Sequence, residues 1–309
     1  MSNFQGEVLA ELVRNGLVES VHSGHLVMLN SDGSIYKSKG AVEMPIFPRS
    51  TVKSFQASAM VRSGLKLEPR LLALVASSHS GAKVHQDGVL EILALHNLSE
   101  SDLQNMLDKP LGTAEREAWG DRAPTRLAMN CSGKHAGMLA TCAINGWDTK
   151  TYLEQSHPLQ QAVLKEIEAC TSESVANKTF DGCGAPLFAI STMGLARAIH
   201  KITTSSDPVH QEVLAAHYLF PEMIGGEGRL NTRMMQAIPG LMMKDGMEAV
   251  LVSSLRDGRT LVMKISDGSL RAAGLIAQAA FAEWDVNTTD ESVKILGGSE
   301  VVGGIRATL

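Results

Sequence analysis

The sequence predicts an α+β fold. An antiparallel β-sheet flanked by helices is drawn from both ends of the chain, with a mostly helical lobe inserted between. Three observations carry this expectation. Strand-like runs broken by Asp-Gly turns stand early and late, and helix-period patterns fill the middle. No Pro- or Ser-rich linker, repeat or low-complexity tract divides the 309 residues. Residues 1–309 therefore read as a single domain, with a mixed α/β lobe from both termini and a helical lobe in the middle. A chain of this size buries roughly 75% of its unfolded surface and needs no disulfide staples.

The elements follow in order. "HLVMLNSDGSIYKSKG" reads as two short strands around Ser31-Asp32-Gly33, a hairpin signal. From Ser50 to Ser63, Val52, Phe55, Ala59 and Met60 recur at helical spacing, with Gly64 as the expected cap. "LLALVASSHSG" is an apolar run that breaks at a polar, Gly-ended loop. Ser99 with Asp102 has the form of a capping box. "QQAVLKEIEA" and "APLFAISTMGLARAIHKI" are both patterned as amphipathic helices. Late in the chain, "MEAVLVSSLRDGRTLVMKISDGSLRAAG" reads as strand, turn, strand, turn, and "RAAGLIAQAAFAEW" closes with a helix.

Composition narrows the function classes. Hydrophobic content of 44% and charged content of 20% fit an ordinary globule. A net charge of −5 argues against a nucleic-acid binder, which would present a basic surface. No stretch approaches the ~20 apolar residues of a membrane span. The amino-terminal "MSNFQGEVLAELVRNG" lacks the basic and apolar regions of a signal peptide, so the expectation is a cytoplasmic protein. The four cysteines, Cys131, Cys142, Cys170 and Cys183, are then thiols or ligands rather than bridges.

Chemistry first suggests itself at "FPRSTVKSFQA", where Ser50 and Lys53 stand one helical turn apart. Ser-x-x-Lys also occurs at Ser34–Lys37, Ser63–Lys66 and Ser80–Lys83, so the spacing alone means little. Ser34 and Lys37 fall on a strand, where an odd offset points them to opposite faces. Ser63 precedes a helix-ending glycine, and Gly81 makes Ser80–Lys83 a turn. Only Ser50–Lys53 occupies a first helical turn, where positions i and i+3 share a face and N–H groups favour a developing anion. A capping serine beside a solvated lysine would give the same spacing. A lysine acts as a base only when neutral, whereas an ordinary ammonium titrates near ~10.4. Burial and a second cation lower that value, so a working site should bring another lysine. Lys264, on a strand just before a turn, is the candidate.

Two glycine-rich loops offer a further constellation. "MNCSGKHAGMLATCA" places Cys131, Ser132, Gly133, Lys134 and His135 at a loop-to-helix start, where small residues let a backbone approach a ligand. "FDGCGAPLFA" repeats the design with Asp181, Gly182, Cys183 and Gly184, and sets Pro186 near a first helical turn. Two cysteines in separate polar loops suggest a shared metal or substrate pocket, for which Cys131, His135 and Cys183 would be the ordinary zinc set. Lys134 would be an unusual ligand. Cys142 and Cys170, inside helical patterns, read as core thiols. "SSHSG" offers Ser77, Ser78, His79 and Ser80, and "GGEGR" carries Arg229, which could meet a carboxylate.

Taken together, "FPRSTVK", "SSHSG", "NCSGKHAGML", "DGCGAP" and "MKISDGSLRAAG" occur in an order that resembles the Rhizobium-type (type II) L-asparaginase family. The resemblance covers nearly the whole chain, and "CSGKHAGM" with "DGCGAP" is its specific part. It implies a serine β-lactamase-like fold, a homodimer, and hydrolysis of L-asparagine to L-aspartate and ammonia by a single catalytic domain. It further implies Ser50 as nucleophile, Lys53 as its base, and Ser78 paired with Lys264 as a second Ser–Lys couple. Zinc would be held by Cys131, Lys134 and Cys183, with Arg49, His79, His135 and Asp181 around the substrate. Ser80 stays an alternative to Ser78, and Ala82 stands where an acidic residue is expected. Two other readings stand beside this one: a penicillin-binding or β-lactamase-like acyl enzyme, and a non-enzymatic module stabilised by zinc. Lys264-Ile265-Ser266 only loosely resembles the Lys-Thr-Gly strand of the first.

Overall fold

The computed structural model describes residues 6–175 and 177–309. In chain order the first part holds strands β1 (Glu7–Arg14), β2 (Leu17–Leu29), β3 (Ile35–Lys39) and β4 (Pro45–Ile46), then a 3-10 turn, Arg49–Val52. Helices α1 (Lys53–Arg62), α2 (Pro69–Val75), α3 (Lys83–Ala94), α4 (Thr113–Trp119), α5 (Ser132–Asn145) and α6 (Pro158–Thr171) follow. Short strands β5 (Lys178–Phe180), β6 (Pro186–Phe188) and β7 (Ile190–Ser191) lead to α7 (Thr192–Thr204), α8 (Pro208–Leu219), α9 (Pro221–Ile224) and α10 (Leu230–Ala237). The chain ends with β8 (Met242–Gly246), β9 (Val250–Ser254), β10 (Thr260–Ile265), α11 (Ala273–Ala282), β11 (Lys294–Gly297) and β12 (Glu300–Ala307).

Two compact units result. The first comprises residues 1–51, 190–204 and 236–309. Its strands run in the order β11-β12-β1-β2-β10-β9-β8, every pairing antiparallel, with β3 also paired to β2. Asn15-Gly16 turns β1 into β2 with both φ angles positive, the conformation a two-residue hairpin needs. Central β2 ends in an unbroken buried run, Leu26–Leu29, because it lies mid-sheet and α7 packs across it, β9 and β10. The hairpin expected around Ser31-Asp32-Gly33 is present, with Leu29 opposite Ile35.

The second unit comprises residues 52–189 and 205–235. Residues 53–60 of α1 are all buried, and Ala57, Ser58 and Ala59 are small enough to admit neighbouring helices α5, α6 and α8. Helix α5 packs on α2 through glycine: a Cβ at Gly133 would lie 2.4 Å from Leu74 O, and one at Gly137 2.8 Å from Val75 side-chain atoms. Gly133 and Gly137 of "CSGKHAGM" thus serve helix packing. Helices α6 and α8 start at Pro158 and Pro208, each after a side-chain cap, His157 and Asp207. The capping box at Ser99 and Asp102 forms as expected.

The run expected as helix from Ser50 opens as the 3-10 turn Arg49–Val52, with α1 from Lys53, and two further expectations differ from the structure. Residues 186–191 of the patterned run "APLFAISTMGLARAIHKI" are strand, and the helix begins only at Thr192. Pro186 opens β6 rather than a helix, because the Asp181–Gly184 turn pairs it with Phe180. Periodicity is blind there because 186–191 is buried on every side. The chain also does not close with a helix: β11 and β12 follow α11, and β12 completes the sheet beside β1. Glycine and exposed side chains in both strands weaken their alternation. No helix among the described residues is long and apolar enough to cross a membrane.

Candidate active site

In the helical unit, Lys53 opens α1 and is almost wholly buried. Taking an amine out of water is costly unless polar partners receive it. Its Nζ lies 3.0 Å from Ser78 Oγ and 3.0 Å from Cys131 Sγ, and donates to Ser77 O. Ser78 sits in the loop after α2, where its N–H donates to Ile224 O at 3.0 Å and its carbonyl accepts from Arg229 at 3.2 Å. Arg229 of "GGEGR" thus meets a loop carbonyl. Ser80 behaves differently, since its hydroxyl donates to Glu115 Oε1 at 2.5 Å. Of the two serines, Ser78 is the one beside a lysine amine.

The cysteine loops also converge. Cys131 immediately precedes α5, Lys134 lies in its first turn, and Cys183 sits in the β5–β6 turn. Lys134 Nζ is 3.0 Å from Cys183 Sγ. Cys131 hydrogen-bonds to Cys183, and that bond, with burial, pushes the Cys131 thiol up. The same bond, helped by Lys134 against the opposing effect of burial, holds Cys183 far below the usual thiol range. Burial would lower Lys134, but the neighbouring Cys183, Cys131 and Asp181 outweigh it and raise the amine. The three side chains share one buried spot, where Cys131 and Cys183 pack against Met129 and Ala185.

His135 Nδ1 meets Tyr152 Oη at 2.7 Å, while its Nε2 is buried without a hydrogen-bond partner. Burial, with Lys134 adding to it, keeps the ring neutral. His79 uses both nitrogens: Nε2 with Ser132 Oγ at 2.9 Å and Nδ1 with the Gly81 N–H at 3.1 Å. It stacks on His85, and burial with that neighbour's charge lowers its pKa strongly. Asp181 holds the turn through Ala185 and acts on Lys134 by charge.

In the sheet unit, Arg49 has φ of 53°, a left-handed conformation uncommon for a residue with a side chain. Ser50 follows it and is 6% exposed. Gly246, ending β8, lies against this segment: a Cβ there would be 3.2 Å from Ser50 N. Lys264, on β10, is half-buried, and its Nζ donates to Glu248 O at 2.5 Å and Ile265 O at 2.7 Å. Burial lowers its pKa, Arg49 adds to this, and Glu248 and Asp267 oppose it. Register sets Gly246, Val250 and Lys264 in one row across three strands, so Lys264 starts roughly 10 Å from Gly246. Lys244, two residues before Gly246, is fully buried and bonds to Asp245 Oδ1 at 2.9 Å. Sequence reasoning passed over Lys244-Asp245-Gly246. Its signal was a lysine and a glycine closing an apolar strand.

The residues can be tested against a metal. Two sulfurs and an amine nitrogen within hydrogen-bond reach form a soft donor set of the kind zinc takes, and Lys134 would have to give up a proton. Cys131, His135 and Cys183 do not close into a compact triad. Among the described residues, His, Cys and carboxylate atoms gather in threes at Glu166, Cys170 and His210, within 4.8 Å of one another. There Glu166 is already engaged by Arg62 at 3.1 Å and His210 at 2.8 Å, an ion-pair arrangement tying α1, α6 and α8.

Solved structures similar to the chain include a beta-lactamase from Mycobacterium bovis, at 15% identity over 85% of this chain and 95% of that one, with a TM-score of 0.47. The native form of Mglu is similar at 10% identity over 86% of this chain, with a TM-score of 0.38; this chain covers 65% of that protein. No curated protein sequence matches. The motifs are reflected in a match to the L-asparaginase II family over residues 10–304, and the chain belongs to that family.

Proposed function

We propose that the protein is an amidohydrolase that converts L-asparagine and water to L-aspartate and ammonia through an acyl-enzyme on Ser50. Family membership supports the reaction class. The observation that carries the mechanism is the buried Lys53–Ser78 couple, 3.0 Å apart, with Lys53 three residues after Ser50 in sequence. Ser50 Oγ attacks the side-chain amide carbon and its proton passes to Lys53. The C–N bond then breaks, and ammonia leaves with a returned proton. Water attacks the ester, the Ser50 ester bond breaks, aspartate departs, and Ser50 regains its hydrogen.

Ser78 relays protons at the Lys53 amine. Lys264 is the lysine of the second Ser–Lys couple in this reading, and Arg49, His79, His135 and Asp181 surround the substrate. Zinc held by Cys131, Lys134 and Cys183 would supply a fixed positive charge that orients substrate, since a serine already serves as nucleophile. Homodimer formation is part of the same reading, and sedimentation tests it.

The deciding experiment compares ammonia release from L-asparagine and L-glutamine by wild type and Ser50→Ala. Loss of about 10³-fold or more is expected for the variant. Equal rates would remove Ser50 from the mechanism.

A further inference from the structure

We infer that Gly246, at the end of β8, keeps the main-chain N–H of Ser50 open to the oxygen that becomes negative during acyl transfer. The inference rests on Ser50 being the nucleophile and names a residue outside the Ser–Lys set.

Helix geometry supplies the first step. Ser50 lies in the opening turn of the helical run, where main-chain N–H groups have no preceding carbonyl in the helix. The first bond there is the next one along, from Thr51 N to Pro48 O at 3.3 Å. An N–H at a helix start favours a developing anion, and such donors count most at tetrahedral intermediates.

Packing supplies the second. A Cβ built on Gly246 would stand 3.2 Å from Ser50 N, 3.1 Å from Pro48 O and 3.2 Å from Thr51 Cγ2. An oxygen accepting from an N–H sits 2.7–3.2 Å from the nitrogen, so a methyl at 246 competes for the same shell. Only a hydrogen leaves that shell clear. Gly246 does not adopt the left-handed conformation, so its lack of a side chain is not a demand of the backbone. The glycine is explained by what it faces.

The strand end is also held firmly. β8 is the last strand of its sheet, fixed by pairing of Gly246 with Val250 and Lys244 with Val252. Lys244 shares the Gly246 face of the strand by period two, and its amine bonds to Asp245 O at 2.5 Å. The 48–51 segment thus meets a rigid edge, and small displacements there would show in rate.

The test measures kcat and KM for L-asparagine in wild type, Ser50→Ala, Gly246→Ala and the double variant Gly246→Ala/Thr51→Ser. The double variant removes Thr51 Cγ2, which makes room for the new methyl, and keeps a hydroxyl for the bond to Pro48 O. The expected result is a kcat about 10²–10³ lower in both Gly246 variants, with KM changed less than about threefold. A Gly246→Ala enzyme within about threefold of wild-type kcat overturns the inference. So does a double variant that regains the wild-type rate, since the glycine would then serve packing alone. Wild-type activity retained by Ser50→Ala would overturn the nucleophile itself, and this inference with it. Should the Gly246 variants not fold, wild type labelled with ¹⁵N-serine is mixed with an aspartate analogue carrying a boronic acid in place of the amide. The Ser50 amide proton should move downfield as the adduct forms, and an unmoved resonance with adduct present overturns the inference.

Discussion

At the scale of single residues, the buried Lys134–Cys183 contact decides most. Lys134 and Cys183 lie 3.0 Å apart with almost no water access, so each charge depends on the other. Cys183→Ala should cost about 3–5 kcal/mol in urea unfolding, because an ammonium stays buried without its partner. Cys183→Ala/Lys134→Met should recover most of that, and a single variant as stable as wild type would mean that the pair is not ionised. The two loop serines separate in the same way. Ser78→Ala removes the hydroxyl beside Lys53 and should lower kcat by about 10²-fold or more, whereas Ser80→Ala loses a bond to Glu115 and should show mainly as about 1–2 kcal/mol of stability. Equal kinetic losses would undo that assignment. From sequence the family resemblance implied Ser78 with Ser80 as the alternative, because nothing local in Ser-His-Ser tells which hydroxyl turns toward α1.

At the scale of elements, contacts between helices and strands set pH and packing limits. Burial would raise Glu166, but hydrogen bonds from His210 and Arg62 outweigh it and hold the carboxyl below its ordinary value of 4.5. A carboxyl lowered on folding stabilises the fold above the ordinary range, and that contribution is lost as pH falls through the lowered value. Urea midpoints should therefore drop between about pH 5 and 3, and Glu166→Gln should flatten that slope while costing about 1–3 kcal/mol near neutrality. An unchanged slope would exclude this ion pair as an acid-sensitive tie. In the sheet, a Cβ at Gly24 would sit 2.1 Å from Lys264 O. Gly24→Ala should destabilise by about 1–3 kcal/mol, measured by thermal melting. The Asp-Gly turns and the capping box were legible from sequence because their signals are local. Residues 186–191 were not, since a run buried all round has no period to read.

At the scale of the whole molecule, the proposed zinc site would link separate loops to folding. Zinc at one hundred times its Kd should stabilise the protein by about 2.7 kcal/mol if it binds only the folded chain, and a chelator should reverse the shift. Thermal melts of Cys131→Ser should lose this response, and an equal zinc shift in that variant would direct attention to Glu166, Cys170 and His210. By itself, the sequence determined the α+β class, the hairpins, the helix that follows Ser50 and the motifs that mark the family, because each is written in neighbouring residues. Tertiary structure alone decided which groups meet. Lys53 finds Ser78 and Cys131, Lys134 finds Cys183, and Gly246 backs Ser50, across separations of 25, 78, 49 and 196 residues. Contacts over such distances depend on how helices pack and strands register, and no local pattern of side chains encodes them.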